Sequence, residues 1–272
     1  MKAIVCAQYG GPEVLRLKEV EKPRPSDNEV LISVRAVSIN DWDWAMLDGT
    51  SIFNRLTSGF SKRKFPILGS DVAGVVESTG KNVTKFVRGD EVFGDLSGRW
   101  GGFAEYVCAG ENQLAIKPAG MSFAEAAAIP QAAMLAVQAL IDKGKLREGQ
   151  QLLINGAGGG VGTFGLQIAQ MYKANTTVVD SAAKFDMLAN LGATSFIDYT
   201  KQDFTKLGKR YDLIVDTKTN RPASHYMRAL NKNGTYVTVG GNLSSLFGML
   251  LSIPWASAFS DKTLSIVALK PN

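Results

Sequence analysis

The run Gly149-Gln150-Gln151-Leu152-Leu153-Ile154-Asn155-Gly156-Ala157-Gly158-Gly159-Gly160-Val161-Gly162 sets three apolar residues directly ahead of a turn crowded with glycine. Leu152 to Ile154 has the length and composition of a buried strand. The segment after the turn, Thr163 to Tyr172, carries Phe164, Leu166, Ile168 and Met171 in a pattern that suits a helix. Such a turn lets the backbone come close to a pyrophosphate, whose charge faces the free N–H groups of the helix N-terminus. A lone glycine pattern is weak evidence. This one follows a strand, opens a helix and heads a succession of similar units, which is the context a dinucleotide site requires. The sequence predicts dinucleotide binding; the alternative is a tight structural turn.

The same rhythm continues downstream. Thr176 to Val179 reads as a strand, followed by a helix ending near Leu191-Gly192. Further strands are expected at Phe196 to Asp198, Asp212 to Val215, Tyr236 to Val239 and Leu264 to Ala268. Short apolar strands alternating with helices predict an α/β doubly wound parallel sheet of six strands. Upstream the texture differs. Val30 to Val37 and Val72 to Ser78 read as strands, and Gly89-Asp90 is a turn feeding another, which suits an irregular β-barrel. Near Ser122 the pattern changes again: Ser122-Phe123-Ala124-Glu125 is a capping box, followed by an Ala-rich helical stretch interrupted by Pro130. We expect two domains, 1–122 and 123–272.

The 272 residues suit two modest domains at roughly 150 residues each. With 45% hydrophobic and 20% charged residues, the chain has ample core material, which excludes a disordered or collagen-like protein. Two cysteines cannot form a disulfide framework, and with one histidine they cannot complete a four-ligand zinc site. The net charge is +5, but the basic clusters, Lys62-Arg63-Lys64 and Lys206 to Arg210, lack interleaved aromatics and read as solvated faces, so nucleic acid is not an expected partner. Met1 to Ala7 reads as a first strand and not a secretory signal, so the default expectation is cytoplasmic. Leu243 to Phe259 is apolar but interrupted by Gly248 and Pro254; it reads as a buried helix or hinge lining a cleft, not a membrane span.

The residues after the second strand bear on which dinucleotide is held. Asp180 follows Gly159 by 21 residues, where a carboxylate would accept hydrogen bonds from a ribose and repel a 2′-phosphate. Ser181 and Lys184 argue the other way, since a hydroxyl and an ammonium can hold that phosphate, and Tyr199 could join them; the alternative for Lys184 is a solvated helix residue. The residues alone leave NADP against NAD open.

The run Gly149 to Gly162, with Gln167 in the next helix, resembles the zinc-independent quinone oxidoreductases, the zeta-crystallin-like family of the medium-chain dehydrogenase/reductase superfamily. Gly11-Pro12-Glu13-Val14-Leu15, Asn40-Asp41-Trp42-Asp43 and Pro66 to Gly74 agree, as do Gly102-Phe103-Ala104-Glu105-Tyr106, Leu191-Gly192-Ala193, Ile197-Asp198-Tyr199 and Tyr211 to Thr217. Two positions depart: Gln170, where the family usually has a basic or small residue, and Leu135, where many members carry Thr. The resemblance implies a GroES-like catalytic domain joined to a Rossmann domain, with the active site between them. It also implies that the C-terminal part of the family fold is absent, because relatives continue beyond the segment matching Lys270-Pro271-Asn272. Zinc-using relatives place a Cys within the segment matching Ser38 to Asp43 and a His where this chain has Ser70, so no metal is expected.

By the same resemblance, Gly158, Gly159, Gly160 and Val161 meet the pyrophosphate, and Ser181, Lys184 and Tyr199 hold the 2′-phosphate. This favours NADP(H), with Asp180 dissenting. Gly240 and Gly241 lie near the nicotinamide, which Leu269-Lys270-Pro271 also approaches. Asn40 is expected beside substrate, its amide donating to a developing oxyanion, the alternative being a structural amide that caps a turn. For Asp43 a structural carboxylate is the blander reading; Trp42 and Trp44 could stack on a flat ring or pack as wall residues. Lone His225 is expected to be exposed or capping. The expected activity is NAD(P)H-dependent reduction of a quinone or α,β-unsaturated carbonyl compound by a homodimer. The alternatives are a non-catalytic dinucleotide-dependent regulator or RNA binder, and an NAD-linked alcohol dehydrogenase.

Overall fold

A computed structural model describes residues 1–51, 55–56, 58–59, 63–241 and 243–270. It divides into two compact units, Met1–Gln131 and Ala132–Lys270, with the final two residues outside those described.

The first unit contains an antiparallel ribbon of β1 (Lys2–Cys6) and β2 (Leu15–Glu19). Beside it is a five-stranded antiparallel sheet. Its strands are β3 (Glu29–Val37), β4 (Asp71–Thr79), β5 (Glu91–Asp95), β6 (Tyr106–Gly110) and β7 (Leu114–Ile116), in the order β6-β3-β4-β5-β7. Val30, Ile32, Val72, Val76, Val92, Val107 and Leu114 form its apolar core. Helix α1 (Asp41–Asp48) follows β3 and ends at Gly49, whose φ of 59° closes the last turn in a left-handed cap.

Ser122 and Glu125 form the reciprocal cap that their spacing predicts: Glu125 N–H donates to Ser122 Oγ at 3.2 Å and Ser122 N–H to Glu125 Oε2 at 2.8 Å. They open α2 (Phe123–Ala127), whose Ala126 and Ala127 pack against Ala73 and Phe93 of the first unit. The helical stretch is interrupted at Pro130 as expected: α2 stops at Ala127, and Pro130 begins the next helix, α3 (Pro130–Val137), at the position where a missing N–H costs nothing. A π-helical turn, Gln138–Lys143, continues it.

The second unit is the predicted doubly wound sheet. Its strands are β8 (Gln151–Asn155), β9 (Asn175–Asp180), β10 (Ser195–Asp198), β11 (Tyr211–Asp216), β12 (Leu230–Thr238) and β13 (Thr263–Ile266). All pair in parallel, in the order β10-β9-β8-β11-β12-β13. Helices α4 (Gly160–Met171), α5 (Phe185–Asn190), α6 (Ala223–Arg228) and α7 (Leu243–Phe259) accompany them. The central strands are apolar on both faces, as a sheet covered on both sides requires. Leu152, Ile154, Leu213 and Val215 enter one core, and Leu153 and Ile214 enter the other. Each fully buried aliphatic side chain stabilises the unit by about 1.5–3 kcal/mol over an exposed one.

Two expectations change. Helix α7 is not buried throughout: Met249 and Ala256 face the core, while Phe247, Leu250, Leu251, Trp255 and Phe259 are exposed. Only one side of the helix meets the sheet, so its apolar composition exceeds what that contact can cover. Arg63 is not solvated. It is buried and donates to the carbonyls of Met46 at 2.6 Å, Leu47 at 3.3 Å and Gln8 at 3.4 Å, which compensates its desolvation; Lys62 lies outside the described residues. Lys206 to Arg210 is exposed as expected. Among the described residues no helix is long and apolar enough to cross a membrane.

Candidate functional site

Strand β8 delivers the chain into the glycine turn, and α4 begins at Gly160, with Gly159 as its N-cap. Gly162 is required by packing, since a Cβ there would lie 2.4 Å from the backbone of Ala157. Gly159 and Gly160 are exposed, and a Cβ on Gly159 would meet nothing closer than 3.7 Å. Their bare backbone leaves the helix N-terminus open to a ligand. The first N–H groups of a helix have no acceptor within it and carry its partial positive charge, so this end fits a pyrophosphate. The Gly158 N–H donates to Asp180 Oδ2 at 2.7 Å and the Gly159 N–H to the Gly156 carbonyl at 3.4 Å, which leaves the N–H groups of Gly160 and Val161 to meet an anion.

Asp180 ends β9 and is buried. Its second oxygen accepts the Ser181 N–H at 2.8 Å and lies 3.4 Å from Lys184 Nζ. The ammonium also donates to the Gly158 carbonyl at 3.2 Å. Tyr199, past the end of β10, donates its N–H to the Asp180 carbonyl at 3.3 Å and leaves its ring exposed. The structure thus brings Ser181, Lys184 and Tyr199 together around Asp180 at the carboxyl ends of two adjacent strands. Asp180 and Lys184 are not rivals here but partners: the carboxylate is answered by two N–H groups and an ammonium.

Gly240 and Gly241 follow β12. Gly241 has φ 149°, and a Cβ would lie 2.4 Å from the Thr219 carbonyl, to whose strand-like segment it is bridged in parallel. Gln138 and the Lys270 backbone exchange hydrogen bonds at 2.8 and 3.2 Å, while Pro271 lies outside the described residues. Leu135, where many relatives carry Thr, packs against the apolar core. His225 is half-buried on α6, and its Nδ1 has no partner among the described residues.

Beneath these turns lies a buried polar hub that the sequence did not reveal. Asp216, at the end of β11, accepts Asn155 Nδ2 and the Lys218 N–H, each at 2.8 Å, on one oxygen, and the Tyr236 hydroxyl at 2.9 Å on the other. Tyr236 continues to Thr219 at 3.0 Å, and Thr219 meets Thr238, whose hydroxyl donates to the Gly240 carbonyl at 3.1 Å. Burial pushes the Asp216 carboxyl upward, and these donors pull against it.

The first unit holds a second polar cluster. Asn40 Nδ2 is within hydrogen-bond distance of Ser38 Oγ at 3.2 Å, Ser70 Oγ at 3.1 Å and Asp71 Oδ2 at 3.0 Å. The amide N–H groups expected to face substrate are therefore spent inside the protein, because Asp71 opens β4 directly across from them. Asp43 bears out its structural reading, accepting the N–H groups of Asn40 at 2.9 Å and of Gly69 and Ser70 at 3.1 Å. Asp71 is fully buried, and Asp95 faces it across the β4–β5 ladder. Burial, reinforced by Asp95 and opposed by the Asn40 hydrogen bond, pushes the Asp71 carboxyl up to about 7. Trp42 stacks on Trp100 with ring centroids 6.5 Å apart, so one of its faces is already occupied; Trp44 is half exposed.

Among the described residues no three His, Cys, Asp or Glu side chains converge as a metal site. The donor chemistry is equally unsuited to zinc: Ser38, Asn40 and Ser70 offer no soft ligand, Cys6 Sγ donates to the Pro66 carbonyl, and burial pushes the Cys108 thiol up to about 11.

A GroES-like sheet in one unit and a parallel dinucleotide-binding sheet in the other define the medium-chain dehydrogenase/reductase class. Residues 26–137 match the family described as alcohol dehydrogenase GroES-like domain, and residues 160–268 the one described as zinc-binding dehydrogenase. The chain is 32% identical over 284 residues to the chloroplastic quinone-oxidoreductase homolog of Spinacia oleracea, covering 100% of this chain and 83% of that protein. It is 34% identical over 230 residues to the 2-methylene-furan-3-one reductase of Solanum lycopersicum, covering 80% and 57% respectively. The solved quinone oxidoreductase of Coxiella burnetii superimposes with a TM-score of 0.87 at 26% identity, covering 100% of this chain and 84% of that one. The chain belongs to the quinone oxidoreductase family.

Proposed function

We propose that this chain reduces quinones or α,β-unsaturated carbonyl compounds, that it takes NADPH in preference to NADH, and that it works without zinc. The observation that carries the reading is the open N-terminus of α4 beside the Asp180–Lys184 pair. The turn from Gly159 to Val161 would hold the pyrophosphate. Ser181, Lys184 and Tyr199 would hold the adenosine end, and the Gly240-Gly241 turn the nicotinamide end. When bound, the dihydronicotinamide supplies a hydride.

Lys184 supports the choice of NADPH. With Asp180 already compensated by two N–H groups and an ammonium, the carboxylate repels a 2′-phosphate less than a bare one would, and the half-exposed ammonium can also meet the phosphate. Reduction of a quinone or enone also consumes one proton. The Asp71 carboxyl can hold a proton near neutrality, and the Ser38 hydroxyl, within hydrogen-bond distance of it at 3.1 Å, links it to a partly exposed surface. Zinc independence rests on the donor set, which offers no thiolate or imidazole beside Asn40.

The names of the spinach and tomato relatives favour quinones and enones over the regulatory, RNA-binding and NAD-linked alcohol dehydrogenase readings. Steady-state oxidation of NADPH and NADH, with a panel of quinones and enones and with chelator present, tests the proposal. Turnover with NADPH that survives the chelator is the expected result. A folded sample inert toward the whole panel with both cofactors would refute it.

A further inference from the structure

Parallel sheets bind ligands outside the carboxyl ends of their strands, at the point where strand order reverses. In the order β10-β9-β8-β11-β12-β13 that reversal falls between β8 and β11. Asn155 and Asp216 are the last residues of those two strands and stand in register with each other. Resting on the dinucleotide reading above, we propose that Asp216 is a positioning residue. Its carboxylate, joined to Asn155 on one side and to Tyr236 on the other, fixes the turns after β8, β11 and β12 relative to one another, so that one dinucleotide can meet them together.

The turns touch directly above this hub. A Cβ on Gly156 would lie 2.2 Å from Thr217 Oγ1, and Thr217 Oγ1 itself donates to the Asn155 carbonyl at 3.1 Å. The next residues of the same turn reach the last one, through the Thr219–Gly241 bridge and through Thr238 to the Gly240 carbonyl. Asp216, Thr219, Tyr236 and Thr238 are each fully buried. Burying such groups is costly unless every one is hydrogen-bonded, and apolar side chains of similar volume would hold the sheet together at least as well. What apolar packing would not supply is direction. Asn155 and Tyr236 donate to Asp216, Thr219 lies within hydrogen-bond distance of Tyr236 and Thr238, and Thr238 reaches the Gly240 carbonyl, with three hydroxyl protons shared among the last four contacts, so this chain of polar contacts sets the spacing between the turn after β8 and the turn after β12.

Asp216 makes no contact with Asp180, Ser181, Lys184 or Tyr199 among the hydrogen bonds of the described residues, so the adenosine end serves as an internal reference. The test compares binding of NADPH with binding of adenosine 2′,5′-bisphosphate, the adenylate half alone, in wild type, Asp216→Asn and Tyr236→Phe, together with the thermal unfolding midpoint. An amide at 216 can keep its oxygen for Asn155 and Lys218, but its N–H groups then face the Tyr236 hydroxyl, which must give up its own donation and reorient. Phe at 236 keeps the ring that stacks on Tyr226 at 4.3 Å and removes only the hydroxyl. Asp216→Asn is expected to weaken NADPH about tenfold or more while changing the bisphosphate by less than about twofold. Tyr236→Phe is expected to shift the same ratio less strongly, and it decides the matter if Asp216→Asn fails to fold. Equal losses for both ligands would show general loosening and overturn the proposal, as would unchanged NADPH binding in a folded variant. Wild-type protein that binds neither ligand would refute the dinucleotide reading itself, and the proposal with it.

Discussion

Asp180 accepts the Gly158 N–H at 2.7 Å, which makes the acidic residue at the end of β9 a clasp on the glycine turn. An acidic side chain at this point usually argues for a bare ribose, because it would repel a 2′-phosphate. Here one oxygen is taken by the turn, and the other faces the Ser181 N–H and the Lys184 ammonium. The charge that would have disfavoured NADPH is the one that holds Lys184 beside the turn.

That arrangement predicts the behaviour of Lys184 variants. Lys184→Ala should weaken NADPH by about tenfold, the size of one lost charge-assisted contact, and leave NADH nearly unchanged. Lys184→Arg should keep most of the preference. Dissociation constants for both dinucleotides check this, and equal losses would contradict it.

Asp71 predicts a pH dependence of stability. Its carboxyl is pushed up to about 7 in the folded chain, while an unfolded Asp titrates near about 3.9. Between those values the folded state keeps a proton that the unfolded state has released. The stability that this protonation contributes is complete below about pH 4 and is lost as the pH rises to about 7, at about 1.4 kcal/mol per pH unit. The charged groups nearest in its network are Asp95, across the ladder, and Asp43, through Ser70. Asp71→Asn removes this contribution. Urea unfolding of both proteins from about pH 5 to 8 should show wild type losing stability relative to the variant up to about pH 7 and running parallel to it above. Parallel curves throughout would rule the shift out.

Two glycines of α4 predict opposite outcomes. Gly162→Ala forces a Cβ to 2.4 Å from the Ala157 backbone, which cannot move without shifting the turn, so a loss of about 1–3 kcal/mol is expected. Gly165→Ala meets only Ile154 and Leu140 side chains, at 3.5 and 3.6 Å, and should stabilise the helix by roughly 0.5–1 kcal/mol. Chemical denaturation of the two variants separates them; a common sign would contradict the packing described.

The parallel sheet was legible because its central strands are short apolar runs bounded by glycine or acidic residues. Strand β12 was not legible over its first half. Asn231-Lys232-Asn233-Gly234 has no apolar rhythm and joins the strand through a shift in its register with β11. The glycine turn identified the pyrophosphate end, and Ser181, Lys184 and Tyr199 do gather at one corner. Asp180's partnership with Lys184 could not be read from spacing, because it depends on how closely the turn approaches β9. The Asp216 hub was invisible for a related reason: residues 155, 216, 219, 236 and 238 meet only through the order of the strands. Asn40 was singled out by resemblance, but the direction of its amide is set by Asp71, which opens β4.

The most direct test of the central claim follows the hydride itself. NADPH carrying deuterium at the transferable C4 position is incubated with a simple enone, and the product is analysed by mass spectrometry and NMR. The expected product is a saturated ketone carrying the deuterium at the former β-carbon, formed faster than with labelled NADH. Consumption of the enone without deuterium in the product, or no consumption by a folded sample that binds NADPH, would contradict it.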